Sequence, residues 1–532
     1  MENQIEKLIA YSGGEGRYQI LLLVIFFFIW QSVSIHNTSI AMLETVPLVK
    51  VSGKEKTIKL DYEICKDNYT VIEKYDYSWI IEMGIECDQA KVGLIGTSVN
   101  LGMTLGSFSF SIITKFLTYK ELIRIFLFFY VFFAFLTTII NNYYFKLVCL
   151  FFLGIGNCMN TMSTMNLISE CVSFKKRSLF QGIVNVGYAF CPIMYTPLYI
   201  LFGNWRFCFW IQNIIGIICG IMFLIFGKNS ARMYFSKNKI EEGMNVLTQI
   251  AQFNGKLEEF KEKVNDQEFD DLLRNDKKKE IEKDLTLEKK FGFKSLLKYK
   301  SVKYKFLIFS FIFINTTFLT KAVVISAKSM EGKTYIIIVS LFCVEAIANI
   351  CCGIIVNIPS FGRKKSLIGF YIGISIGFIL TIVFPDSAIG CWLYMVFIRF
   401  CITGVYTTLV VYLVESYPTP LRALGYGLNF TFGNLAGIIS PLILEFINKY
   451  ILYLFFAIIA GANIFFILFL PETVGKPMIE TIEELEEYDS EKEKSSLIRE
   501  FGTNNLDILT NSENKNLLLK FEDKEEKEDE EE

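Results

Sequence analysis

The chain has 532 residues, a formal net charge of −2 and a mean hydropathy of +0.40, and 52% of its residues are hydrophobic. Soluble chains average about 45–50% apolar residues with glycine included, so this composition, with its 51 phenylalanines, indicates a membrane protein. The sequence contains no Walker A loop, no nucleophile motif and no metal-ligand spacing, and its charge gives no support to nucleic-acid binding. We therefore predict a protein that is not an enzyme, with no cofactor, no metal site and no nucleic-acid partner.

Twelve apolar runs are long enough to cross about 30 Å of hydrocarbon, which takes about 20 helical residues. They lie near residues 18–43, 91–113, 122–140, 146–168, 179–201, 207–227, 304–325, 334–357, 366–384, 389–414, 424–446 and 450–470. The sequence thus predicts an all-α, multi-pass membrane protein with twelve transmembrane helices. The first run is long and lacks a small-residue cleavage site, so no cleavable signal peptide is predicted.

Basic residues predict the orientation of these spans. The connections after spans two, four and eight are basic, with Lys115 and Lys120, Lys175–Arg177, and Arg363–Lys365. The connections after spans three, five, nine and eleven are nearly neutral, whereas 326–333 is an exception with two lysines. The positive-inside rule therefore places the basic connections and both termini in the cytoplasm.

This orientation defines five regions. Residues 1–17 form a cytoplasmic N-terminus, 18–227 and 304–470 form two six-helix halves, 228–303 form a charged cytoplasmic linker with short helices, and 471–532 form an acidic tail. Residues 44–90 form an extracellular loop between spans one and two. In this loop Asn68 opens an Asn-Tyr-Thr glycosylation sequon, and Cys65 and Cys87 are candidates for a disulfide.

Two landmarks indicate that the halves are repeats. Glu170 and Arg177 flank the turn after span four, and Glu415 and Arg422 flank the turn after span ten with the same spacing, 245 positions later. The sequence Phe-Gly-Arg-Lys at 361–364 also lies 244 positions after Leu-Thr-Tyr-Lys at 117–120. Two six-span repeats joined by a long linker imply parallel repeats with a substrate site between them.

The stretch ESYPTPLRALG, residues 415–425, resembles the E-x-YPT-x-x-R-x-x-G signature of the organic cation/anion transporter (solute carrier 22) family of the major facilitator superfamily. GRYQ at 16–19, NWR at 204–206 and LPETVGKP at 470–477 are also similar to its motifs. The resemblance implies the major facilitator fold and transport of small organic solutes by alternating access. The chain departs from that family after span two, where the family's D-R-x-G-R-R loses its acid, Gly and Arg, and after span six, where PESPR becomes KNSAR at 228–232.

Three polar residues within the spans are candidates for substrate binding, because such residues are costly in a bilayer. Glu345 in span eight is predicted to be a substrate or proton partner, or the acid of an interior ion pair. Arg399 in span ten is predicted to bind an anion or to extend outward as an anchor. Asn434 in span eleven stands where the resemblance implies Asp in cation carriers and Arg in anion carriers. Zwitterionic, weakly charged or neutral organic solutes are therefore favoured, and the substrate charge stays open.

The charged turns are predicted to gate the cytoplasmic side through Glu170, Arg177, Gly362, Arg363, Glu415 and Arg422. Each acid is expected to face the base of its own turn and to pair with it while this side is closed. The alternative is that these residues only terminate helices.

The predicted partners are a small organic solute and the lipid bilayer, with protons or a counter-transported ion as candidates for coupling. The predicted location is the plasma membrane or an organelle membrane. The alternative functions are a sugar carrier of the same superfamily and a non-transporting membrane sensor with the same fold.

Overall fold

A computed structural model of the chain describes residues 2–38, 48–51, 58–59, 69–73, 78–85, 87–173, 176–236, 239–264, 293–328, 334–384, 388–446 and 449–473. Twelve helices in these ranges have 20 residues or more, and we number them spans one to twelve: Arg17–Thr38, Gln89–Ile113, Tyr119–Ile139, Tyr143–Cys171, Arg177–Phe202, Trp205–Phe226, Lys300–Lys328, Thr334–Ile355, Gly362–Val383, Ala388–Ser416, Thr419–Phe446 and Lys449–Leu468.

Ten of the twelve are both long enough and apolar enough to cross a membrane, and spans two and eleven match them in length. Spans two and eleven are more polar because they pack on each other through small and polar residues. Among these are Asn100 and Ser107 of span two and Thr431 and Asn434 of span eleven. The all-helical membrane architecture predicted from the apolar runs is therefore confirmed.

Large apolar side chains are exposed along the outer faces of spans three, six, nine and twelve. Examples are Phe132, Phe135, Ile218, Ile225, Ile372, Ile376, Ile451 and Ile458. A water-facing apolar surface of this extent would be unfavourable, so these faces contact lipid.

Within the first half, spans two and four meet backbone to backbone. A side chain at Gly102 would collide with the carbonyl of Phe151, and one at Gly154 would collide with the carbonyl of Val99. Small residues allow this close approach, which gives van der Waals packing that lipid cannot replace. In the second half, span nine packs between spans ten and twelve, and span seven packs on span eleven.

The two halves meet through two pairs of spans, two against eleven and five against eight. In the first pair, the amide of Asn100 donates to the carbonyl of Gly437 at 3.3 Å. In the second pair, a Cβ at Gly182 would lie 2.6 Å from the carbonyl oxygen of Asn349, so only glycine permits this contact.

A group of short helices lies at the end of the first half where span four is followed by span five. These are the N-terminal helix Glu2–Tyr11 and the linker helices Ala231–Ser236, Ile240–Phe253 and Leu257–Val264, and a further helix, Phe293–Lys298, precedes span seven. Ile5, Leu8 and Ile9 of the N-terminal helix are buried against the linker helices. Asn254 fixes the following turn, because its amide donates to the carbonyl of Ser12 at 2.9 Å.

The segment between spans one and two contains a small antiparallel sheet, which the all-α prediction did not include. Its strands are Leu48–Val51, Ile58–Lys59 and Tyr69–Glu73, with the first strand in the middle. A short helix, Trp79–Met83, then leads to span two. Cys87 is disulfide-bonded. Cys65 and the sequon residue Asn68 lie outside the described residues, so the pairing of Cys65 with Cys87 and the glycosylation stay predictions.

Glu82 attaches this short helix to the first half. It accepts hydrogen bonds from the indole of Trp205 at 2.7 Å and from Arg206 at 3.2 Å, and Lys146 lies 4.0 Å away. Burial would raise the pKa of Glu82, but the hydrogen bonds from Arg206 and Trp205 and the charge of Lys146 outweigh it, so the pKa is lowered. The Asn-Trp-Arg motif before span six thus anchors the segment between spans one and two.

Candidate functional site

Two of the predicted substrate residues form an ion pair inside the helix bundle. Arg399 of span ten donates through Nη2 to Oε2 of Glu345 on span eight, and its guanidinium lies 5.4 Å from the ring centre of Phe342. The Arg399 side chain is 5% exposed and that of Glu345 is 13% exposed. Glu345 is therefore the acid of an interior ion pair. The alternative in which Arg399 extends outward as an anchor is wrong, because its side chain is buried against a carboxylate.

Groups from both halves surround this pair. Tyr188 of span five and Tyr406 of span ten lie close enough to interact electrostatically with Glu345. The hydroxyl of Tyr188 accepts a hydrogen bond from the amide of Asn37 on span one at 2.9 Å. The pair thus lies where spans one and five of the first half face spans eight and ten of the second.

A second polar layer follows one helical turn further along span eight. Asn349 donates to the backbone carbonyl of Glu345 at 3.0 Å and accepts a hydrogen bond from Thr407 at 2.7 Å. Thr407 thus connects spans eight and ten and adds no charge.

Asn434 lies on the other wall between the halves. Its amide donates to the carbonyl of Met103 at 3.3 Å and lies 3.4 Å from the hydroxyl of Ser107, both on span two. The structure therefore places Asn434 in the contact between spans two and eleven, whereas Glu345 and Arg399 lie near the contact between spans five and eight.

Buried polar groups without partners lie near the ion pair in the described part of the chain. Neither amide atom of Gln181 or Asn185 on span five has a hydrogen-bond partner, nor do Nε and Nη1 of Arg399. Asn185 lies between Gly182, which packs on Asn349, and Tyr188, which interacts with Glu345. The sequence analysis did not single out these amides, although their spacing of four residues in an apolar run places them on one helix face. Such groups can bind a polar solute.

Where span nine begins in the second half, Arg363 and Glu415 form a bidentate pair. Nε and Nη2 of Arg363 donate to the two carboxylate oxygens of Glu415 at 3.0 and 2.8 Å, and both side chains are buried. Arg363 Nη2 also lies 3.4 Å from the hydroxyl of Ser178 on span five, which belongs to the other half. Thr473 donates to Glu415 as well, at 2.8 Å.

Glu472 of the LPET motif caps span nine, a role that the sequence analysis did not assign. Its carboxylate accepts hydrogen bonds from the backbone N–H groups of Arg363 at 2.9 Å and Lys364 at 3.0 Å. A carboxylate at a helix N-terminus is stabilised by these N–H groups and by the helix dipole. Gly362 is required there, because its φ is +67° and a side chain would collide with Glu472.

The first half has a different arrangement. Glu170 of span four lies 3.8 Å from Nη1 of Arg422 on span eleven, so this buried ion pair crosses between the halves. Arg177 donates through Nε to the carbonyl of Ser169 at 2.8 Å and through Nη2 to Glu6 of the N-terminal helix at 2.9 Å.

The expectation that each acid pairs with the base of its own turn is therefore wrong. Glu415 is held by Arg363, and Arg422 reaches across the halves to Glu170. The two halves pair their acids differently because their sequences differ at one corresponding position. Tyr119, after span two, corresponds to Arg363, after span eight, by the offset of 244 residues. Without an arginine at that position, Glu170 takes its partner from the other half.

The family model described as Major Facilitator Superfamily matches residues 77–441 and 306–506. Solute carrier family 22 member 6 of Rattus norvegicus is 26% identical over 337 residues, which cover 62% of this chain and 57% of that protein. Solute carrier family 22 member 15-like of Xenopus laevis is 23% identical, covering 76% of this chain and 80% of the relative. Organic anion transporter 3 of Rattus norvegicus is 24% identical, covering 63% and 61%.

The chain is also similar in structure to the proton:xylose symporter XylE bound to 6-bromo-6-deoxy-D-glucose. The TM-score is 0.65 at 14% sequence identity, and the match covers 92% of this chain and 100% of that one. At this identity the likeness concerns the fold alone. The match to the rat member 6 protein spans less than two thirds of that protein's length.

Proposed function

Because the chain belongs to the major facilitator superfamily, we propose that this multi-pass membrane protein carries small organic solutes across a membrane by alternating access. The curated relatives confirm the solute carrier 22 resemblance predicted from ESYPTPLRALG and LPETVGKP. One relative is named organic anion transporter 3 of Rattus norvegicus, and this name supports an organic solute as the substrate class here.

The observation that carries the proposal is the ion pair between Glu345 and Arg399. Burying two charges in a membrane protein is costly, and such groups by default indicate function. The pair lies between the halves, the guanidinium keeps two nitrogens without partners, and Asn185 adds a free amide nearby. A solute can therefore form hydrogen bonds here that the protein leaves open.

The balanced charge of this pair favours a zwitterionic or a neutral polar solute. A solute with full net charge would leave one uncompensated charge in a poorly hydrated site, which is unfavourable at low dielectric. A zwitterion can place its anionic group on Arg399 and its cationic group on Glu345 without changing the total charge. We propose Asn434 as a further substrate residue on the opposite wall.

The proposed cycle needs the cytoplasmic side to open. Two contacts join the halves, Glu170 with Arg422 and Arg363 with Ser178, and we infer that they keep the cytoplasmic side closed. The Arg363–Glu415 pair lies within the second half and moves with it. We propose gating roles for Glu170, Arg177, Gly362, Arg363, Glu415 and Arg422, with the Glu170–Arg422 pair as the one that separates on opening.

The sugar-carrier alternative is not favoured, because the curated relatives are solute carrier 22 proteins and the likeness to the xylose transporter concerns fold. Protons and a counter-transported ion remain candidates for coupling.

Uptake into proteoliposomes tests the proposal. The panel contains a quaternary ammonium, an aromatic carboxylate, a betaine-type zwitterion and a hexose, each measured with and without a proton gradient. We expect the highest specific flux for the zwitterion. Glu345→Gln should shift preference toward the carboxylate and Arg399→Gln toward the ammonium, because each leaves one charge unbalanced. Glu259→Gln, in an exposed pair on the linker, is the control.

An unchanged substrate profile in both variants would remove the ion pair from the binding site. Ligand-induced thermal stabilisation without flux of any compound would favour the sensor alternative instead.

A further inference from the structure

The two repeats differ in how the helix after the basic connection is capped and in how the nearby carboxylate is neutralised. In the second half, Gly362 and Arg363 begin span nine, Glu472 caps it, and Arg363 neutralises Glu415. At the repeated position of the first half, Thr118 begins span three with its own capping box. Its N–H donates to Glu121 at 2.8 Å, and its hydroxyl accepts from the Glu121 N–H at 3.3 Å.

This capping box satisfies the start of span three but adds no positive charge. Tyr119, which repeats Arg363, lies within electrostatic range of Glu170 and Arg422 and is neutral. Glu170 is consequently paired across the halves, as described above. Arg177, which repeats Arg422, lies within electrostatic range of Glu415, but that carboxylate already holds Arg363.

The N-terminal helix provides a carboxylate for Arg177. Glu6 lies 2.9 Å from Arg177 Nη2, and it also bonds Arg232 of the first linker helix. Arg177 is fully buried, whereas Glu6 is 20% exposed. Burial would raise the pKa of Glu6, but Arg232 and Arg177 outweigh it and lower the pKa, so Glu6 is ionised at neutral pH.

The charge balance shows why this carboxylate matters. We call seven buried or half-buried residues the cytoplasmic charge cluster: Glu6, Glu170, Arg177, Arg232, Arg363, Glu415 and Arg422. It contains four positive and three negative groups. Glu472, which binds the N–H of Arg363, adds a negative charge beside this cluster, so the effect of removing Glu6 is local. Arg177 and Arg232 would lose the carboxylate that they share, and two such charges repel each other strongly at low dielectric.

We propose that Glu6 is a gate residue, and that the N-terminal helix stabilises the cytoplasm-closed state by holding Arg177. The proposal rests on the alternating-access function proposed above. Arg177 begins span five, which forms half of the contact between spans five and eight. When the halves separate and water reaches Arg177, its guanidinium is solvated without Glu6. The carboxylate therefore favours the closed state over the open one.

Distances between spin labels at Phe116→Cys and Lys365→Cys report the opening, since both side chains are exposed at the cytoplasmic ends of opposite halves. The protein without engineered cysteines gives the background from the native thiols. Glu6→Gln keeps the shape and removes the charge, and Glu6→Asp keeps the charge. The matched control is Glu15→Gln, which removes an exposed pair with Lys176, the neighbour of Arg177.

We expect Glu6→Gln to raise the ratio of open to closed molecules about tenfold, because hydrogen bonds to charged groups contribute that much or more. Glu6→Asp should restore most of the closed population, and Glu15→Gln should leave the ratio unchanged. Arg232→Gln should shift the ratio toward closed molecules, because it removes the positive charge that repels Arg177. Glu6 then has Arg177 as its remaining arginine partner among those described above.

A lower melting temperature of Glu6→Gln with an unchanged distance distribution would overturn the proposal, because Glu6 would then only attach the N-terminal helix. The same conclusion holds if Arg232→Gln opens the gate as much as Glu6→Gln does. The opposite sign expected for Arg232→Gln keeps the test decisive even if Glu6→Gln fails to fold. The label distances need no substrate, so a failed transport panel and a failed role of Glu6 are separate results.

Discussion

If the chain is a carrier as proposed, breaking the ion pair between Glu170 and Arg422 should shift it toward the state in which the halves separate at this end. The two groups are 3.8 Å apart, and their side chains are 4% and 2% exposed. At an effective dielectric constant of about 20, two unit charges at this separation attract each other by about 4 kcal/mol. Part of this attraction is offset by the loss of hydration of both groups, which are solvated again when the halves separate.

We therefore expect a net coupling of about 2 kcal/mol between Glu170 and Arg422, or about thirtyfold in the ratio of open to closed molecules. The variants are Glu170→Gln, Arg422→Gln and the double variant, measured with the spin-label pair at positions 116 and 365. Each single variant leaves a charge buried in the closed state, so each should open the gate more than the double variant does. Arg422→Ala should also slow uptake into proteoliposomes while the protein still reaches the membrane.

The control for this double-mutant cycle is the exposed pair of Glu259 and Lys263, for which the coupling should be near zero. Strictly additive effects of the two buried substitutions would refute the reasoning, because the pair would then make no contribution specific to the closed state. Uptake at the wild-type rate in Arg422→Ala would refute its part in gating.

Three more predictions concern other parts of the molecule. Asn434→Asp should lower the melting temperature, since its carboxylate would face a carbonyl of span two, and should shift preference toward cations if it lines the site; uptake of the panel and thermal unfolding measure both effects. Gly362→Ala should destabilise by about 1–2 kcal/mol or more at its positive φ, whereas Gly369→Ala, in open helical space, should stabilise slightly in thermal unfolding. Because the pKa of Glu82 is lowered, its stabilisation is complete above its ordinary pKa of 4.5 and is lost as pH falls through the lower value in the folded protein. The protection of the amides in the Trp79–Met83 helix, corrected for their intrinsic exchange rate at each pH, should therefore fall only at acidic pH, and Arg206→Gln should move this transition upward.

The sequence predicts the fold because the bilayer imposes simple length and polarity requirements on each span. It also identifies Glu345 and Arg399, since ionisable groups in apolar runs are conspicuous. Spans two and eleven have a lower mean hydropathy because their polar residues form hydrogen bonds with each other across the halves. The sequence of one helix alone does not show which other helix provides these partners.

The partners of the proposed gate residues are harder to predict. Glu170 and Arg422 are 252 positions apart, and Glu6 and Arg177 are 171 positions apart. Spacing within one turn suggests local pairs, but helix packing decides which groups actually meet. The offset that places Tyr119 opposite Arg363 indicates where the repeats differ, and the structure is needed to show which carboxylate compensates.

The close contact of spans two and four, described above at Gly102 and Gly154, has a practical consequence for measurement. Backbones that touch have no room to slide or tilt against each other, so the distance between labels on these two helices should stay constant through the transport cycle. A label pair on their outer ends would serve as an internal length standard. Any distance that changes relative to this standard would report motion between the halves rather than distortion within one of them.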